Sequence, residues 1–100
     1  MKLVMVSVHF EYTDVIERII DRHPVPHYLV HPRIEGRDSE GFHEGSQVHP
    51  GNLAALHLRM ADEDVDALLE DLQAFRVEKK AHHHLEAIVL DVQRRLGPGD

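Results

Sequence analysis

Histidine is the residue type most able to do chemistry in this chain. There are ten, at 9, 23, 27, 31, 43, 49, 57, 82, 83 and 84, and no cysteine. Imidazole titrates near neutral pH and ligates zinc, copper and nickel. The first arrangement is His82-His83-His84. In a strand, alternate residues share a face, so His82 and His84 point one way and His83 the other. A metal there needs His82 and His84 plus a carboxylate or a second copy of the chain. The second is a glycine-bearing polar stretch with His43, Glu44 and His49, near Asp38 and Glu40. Such a loop can order itself by closing around a divalent ion, with Zn, Cu or Ni as the expected metal. The third is His9, His31 and His57, which fall in separate strand-like segments and are expected at an interface between copies. Plainer roles compete with each: a polar strand start, a solvated loop, and interface imidazoles satisfied by backbone or carboxylate groups.

Several chemistries are excluded. Without cysteine there is no disulfide, thiolate nucleophile or thiolate ligand. Neither G-x-x-x-x-G-K-[ST] nor G-x-G-x-x-G occurs. Ser7, Ser39 and Ser46 lack the surroundings of a catalytic serine. His-x-x-x-His occurs at 23/27 and 27/31, but Pro24, Pro26 and Pro32 deny it the helix a zinc protease needs. The formal charge is −7 and the eleven basic residues are scattered, which argues against nucleic acid. No apolar run approaches about 18 residues, so no membrane insertion is expected. The N-terminal run alternates like a strand and lacks a signal-peptide layout. A cytoplasmic location is expected. Protonating every histidine would carry the charge from −7 to +3, so mild acid should alter this protein's field strongly.

The elements that must position these residues follow from periodicity. One hundred residues, 42% hydrophobic, suit one domain spanning 1–100. Residues 2–10 alternate as a strand, with Val4, Val6, Val8 and Phe10 on one side and Leu3, Met5, Ser7 and His9 on the other. Thr13 is the expected N-cap of a helix carrying Val15, Ile16, Ile19 and Ile20, which Pro24 ends. Residues 26–37 read as a second strand, placed at an edge by Pro32. Residues 38–51 read as a long loop and 52–60 as a third strand. Asp62, Glu63 and Asp64 open a helix whose stripe is Val65, Leu68, Leu69, Leu72 and Phe75. A fourth strand is expected over 82–92, and 94–100 as a frayed tail. The order predicts an α+β, ferredoxin-like β-α-β-β-α-β sandwich. Its four-stranded antiparallel sheet would carry two helices on one face. The other face would hold Leu3, Met5, Leu53, Ala55 and Leu29 or Val30, too apolar for solvent, and so is expected between subunits.

The opening strand KLVMVSV, the helix TDVIERII, a second strand running to Gly36 before a long loop, and the segment ADEDVDALLEDL together resemble the nitrogen-regulatory P-II-like superfamily. The resemblance extends to its small members and to the divalent-cation-tolerance (CutA) relatives. It implies a homotrimer whose sheets meet around a three-fold axis. It also implies effector clefts between subunits and signalling through the loop at 38–51, to a membrane transporter or another protein. By analogy the cleft lies around Gly36, Arg37 and segment 82–86, with Lys79 and Lys80 able to meet an anion. The turn from Arg76 to His82 has no glycine, unlike the Gly-rich turn with which P-II proteins hold ATP. The histidines there instead match small P-II-like proteins associated with metal transport. The expectation is a non-enzymatic regulator binding a divalent metal (His82, His84, His43, His49, Glu44) or a small effector. The alternatives are a nucleotide or anion sensor without metal, and a small ferredoxin-like enzyme of isomerase or monooxygenase type.

Overall fold

The computed structural model describes residues 1–38, 41–43 and 52–98. Strand β1 (Lys2–His9) buries Val4, Val6 and Val8, as its alternation requires. A single 3-10 turn, Phe10–Tyr12, leads into helix α1 (Thr13–Ile20). Thr13 is not the cap but the first residue of α1. Its hydroxyl donates to the Phe10 carbonyl at 2.7 Å, clasping the 3-10 turn that precedes the helix. Beyond α1, His23 meets the Asp71 carboxylate at 2.6 Å.

Strand β2 (His27–Ile34) is followed by a short ribbon of β3 (Gly36–Asp38) paired with β4 (Gly41–His43). Strand content therefore reaches into the stretch expected to be irregular. The expected loop residues Glu40, Glu44 and His49 lie outside the described residues. Gly36 has a steric reason: a Cβ there would come 3.2 Å from Leu53 Cδ1. Strand β5 (Leu53–Met60), helix α2 (Val65–Glu78) and strand β6 (Glu86–Asp91) complete the chain, with 3-10 turns at Asp62–Asp64 and Lys80–His82. The acidic residues 62–64 thus form the turn that precedes α2.

The main sheet runs β2-β5-β1-β6 with every pairing antiparallel, the ferredoxin-like topology. Pro32 lies in an edge strand as expected, where the register shifts between His31 and Ile34. Both helices cover one face. Ile16, Ile19 and Ile20 of α1 and Val65, Leu68, Leu72 and Phe75 of α2 pack on Val4, Val6, Val8, Ala54, Leu56, Leu58 and Met60. Each fully buried aliphatic side chain contributes about 1.5–3 kcal/mol over an exposed one.

One boundary differs from expectation. The fourth strand starts at Glu86, and His82 closes a 3-10 turn rather than opening the strand. Its polar alternation fits either state. Burial decides between them: His82, His84 and Leu85 are all buried, which a strand start with alternate faces would not allow.

The helix-free face is an ordered grid. Strand register sets His31, Ala55, Ser7 and Glu86 in one row, Leu29, His57, Met5 and Ile88 in the next, and His27, Arg59, Leu3 and Leu90 in the third. Leu29, Ile88 and Leu90 are 65%, 45% and 46% exposed, so this face is apolar and open. Val30 belongs to the opposite side, opposite Leu56, and Leu53 is buried.

Candidate functional site

A cleft of about 840 Å³ opens where the β3–β4 ribbon leaves the sheet. Arg37 enters from β3 and Ser7 from β1, with Leu69, Leu72, Gln73 and Arg76 from α2 and residues 83–87 from the turn into β6. Leu69, Gln73 and Arg76 recur at i, i+4 and i+7, so one helical face forms this wall. Arg76 is held in place: its Nε–H donates to the Leu85 carbonyl at 3.1 Å. The charged lining consists of Arg37 and Arg76 against Glu86, with His83 beside them. Two guanidinium groups make a fork-shaped donor set suited to carboxylate, phosphate or carbonate oxygens. The cleft holds no cysteine, and Glu86 is its only carboxylate among the described lining residues.

His84, which lines the cleft, belongs to a cluster of packed rings. His84 Nε2 accepts the His9 backbone N–H at 2.8 Å, and His84 Nδ1–H donates to the Ala81 carbonyl at 3.0 Å. The His84 ring lies on His9 with centroids 3.4 Å apart and planes 9° from parallel. His82 is bonded through Nδ1 to the Phe75 carbonyl at 2.8 Å and stacks on the Phe75 ring at 3.9 Å. Tyr12 meets both His82 and His84. These contacts tie the end of β1 and the end of α2 to the turn before β6.

The expected site residues separate into several places. Arg37 and the 83–86 part of the expected 82–86 segment come together at the cleft. Lys79 and Lys80 are exposed on the turn and do not line it. His82 and His84 do share a location, but as buried structural groups, and both ring nitrogens of His84 are already engaged. His43 has its backbone in β4 opposite Gly36, while Glu44 and His49 lie outside the described residues. Among the described residues no three of His, Cys, Asp or Glu gather as a metal site. His31 and His57 are neighbours, with ring centres 5.2 Å apart. His9 is not with them: it pairs with Leu53, and its ring turns to His84. Sequence reasoning missed Arg76 and Gln73. The spacing of Leu69, Gln73 and Arg76 was visible, but nothing in it announces a cleft rather than a solvated helix flank.

At the far end of β1, the N-terminal amine binds Asp62 at 2.7 Å and holds its carboxyl below the usual carboxylate range. Lys2 bonds Asp91, which raises its ammonium above the ordinary lysine value, with Asp62 adding to the effect. No helix among the described residues is long and apolar enough to cross a membrane.

No family model matches the chain, and no curated protein matches it. Solved structures do. CPII, a nitrogen regulatory PII-like protein from Thiomonas intermedia K12 bound to ADP, AMP and bicarbonate, superposes with a TM-score of 0.69 at 21% identity, covering 93% of this chain and 88% of that one. A protein described as PII-like signalling from Thermus thermophilus gives 0.63 at 20% identity, over 91% and 85%. A DUF3240 family protein from Shewanella baltica gives 0.71 at 12% identity, over 96% and 93%. The fold expected from the resemblance is therefore the fold observed.

Proposed function

We propose that this chain, which has the fold of the PII-like signalling proteins, is a non-enzymatic regulator that binds a small anionic effector in the cleft at the foot of the 38–51 loop. The observation that carries this reading is the meeting of Arg37, on the stem of that loop, with Arg76 and the 83–87 segment in one open cleft. An anion bridging Arg37 to that wall would tether the ribbon, and its loss would release it. Bound state would then be written into loop position, the population-shift logic of a sensor. The likeness to CPII, whose structure holds ADP, AMP and bicarbonate, supports adenine nucleotides and bicarbonate as the effectors to try. Glu86 is suited to accept hydrogen bonds from sugar hydroxyls in such a ligand.

In this reading the chain works as a cytoplasmic homotrimer, its apolar sheet faces turned inward, and the 38–51 loop contacts a partner such as a membrane transporter. A metal at His82 and His84 with His43, Glu44 and His49 is less favoured, because His84 has no nitrogen to spare while its two hydrogen bonds stand. Gly36 serves by its lack of a side chain, and Lys79 and Lys80 contribute long-range charge only.

Calorimetric titration with ADP, AMP and bicarbonate, singly and in pairs, tests the proposal. Removing one charge-assisted contact costs about 1.5–3 kcal/mol, so Arg37→Ala should weaken binding by roughly tenfold or more. A Lys79→Ala/Lys80→Ala double variant should change it far less. Flat titrations on folded protein with all three compounds would reject the reading.

A further inference from the structure

We propose that His31 and His57 form a two-imidazole site for a late first-row divalent metal, zinc, copper or nickel, on the helix-free face of the sheet. This site is separate from the cleft and does not rest on the reading given to it.

Strand register creates the pair. His57 of β5 lies opposite Leu29 of β2, and His31, two residues further along β2, shares that face. The two rings are diagonal neighbours, with centres 5.2 Å apart and planes inclined by 62°. Two imidazoles on one tetrahedral ion, each with a metal–nitrogen bond of about 2.0–2.1 Å, place their ring centres roughly 5 Å apart. The rings already stand at that separation. They are inclined to each other rather than stacked, unlike His9 on His84 at 9°. Neither ring makes a hydrogen bond to the protein among the described residues. In the single chain His31 is exposed and His57 half-buried, so the pair lies at the surface where a second copy could add a ligand.

The surroundings set the chemistry. Imidazole without thiolate or carboxylate selects zinc, copper and nickel over magnesium and calcium. Of the other charged or titratable groups in the grid, Glu86 is in the row of His31, three strands away, and Arg59 and His27 are one row beyond His57. One chain supplies two ligands, and water or a residue from another copy completes the coordination.

Titration of the whole chain with zinc chloride alone, followed by calorimetry, tests the site. Ten histidines make unspecific binding a real competitor, so variants decide. His31→Ala and His57→Ala should each weaken zinc at least about tenfold, the size of effect that even an outer-shell partner of a metal ligand produces. His27→Ala and His83→Ala should leave it within about twofold. Substoichiometric copper should broaden the His31 and His57 ring proton resonances before those of the other histidines. If His57→Ala fails to fold, the exposed His31→Ala variant alone decides. Absence of zinc binding, or affinity unmoved by His31→Ala, or equal loss from the His27 or His83 variants, would overturn the proposal.

Discussion

A neutral imidazole offers one donor and one acceptor, and His84 uses both. The backbone N–H of His9 can only donate and the carbonyl of Ala81 can only accept, so the proton must sit on Nδ1. His84→Leu fills much of the space yet strands the His9 N–H, and should cost about 1–3 kcal/mol. Thermal melts should show this as a fall of about 4–8 °C per kcal/mol in a domain of this size. The exposed charges at the N-terminus behave differently. The carboxyl of Asp62 is depressed, first by its hydrogen bond to the N-terminal amine, so its contribution is present at neutral pH and is lost as pH falls through the depressed value, below 3.8. Lys2 is raised, so its contribution is present below 10.5 and is lost as pH rises through the raised value. Amide protection at the start of β1, corrected for the intrinsic pH dependence of exchange, should therefore fall at both extremes. Asp62→Asn should remove the acid-side part and only reduce the alkaline one, which rests first on the hydrogen bond to Asp91. Residue types were legible here, but partners were not. Ten histidines could be counted in the sequence, whereas only packing reveals that two are internal props, two are neighbours on an open face and His9 supports a turn.

The elements are legible wherever hydrophobic period and burial agree. Leu68 and Leu72 repeat at helical spacing and are buried as that spacing demands, and Leu72→Ala should cost about 2–5 kcal/mol. Urea unfolding would register that as a lower midpoint at unchanged slope. The edge position of β2 followed from one proline without a donor. The start of β6 departs from expectation for an equally physical reason. His82-His83-His84 satisfies the two-residue period of a strand, but the 3-10 turn there is set by Phe75 and Tyr12, which are near only after folding. Likewise, Arg37 is expected at the cleft from resemblance. Its counterpart Arg76 depends on how α2 lies across the start of β6, a tertiary fact that the local sequence does not encode.

For the whole molecule, the open sheet face dominates. Leu3, Met5, Leu29, Ala55, Ile88 and Leu90 share it, and contiguous apolar surface of this kind favours association. Ile88→Asp puts a charge in the middle row of that face, at its β6 edge, and should shift native mass spectra to smaller species with little loss of helix signal. The two rims of the sheet add a constraint of another kind. The β2 rim carries Pro32 and a register break, whereas the β6 rim has exposed Ile88, Val89 and Leu90 and no proline. Strand-on-strand growth without end needs two competent rims, one to receive and one to be received. With one rim blunted, a stray partner docking on β6 produces a closed pair and stops there. The sheet, apolar on its open face, is thereby guarded against fibre formation.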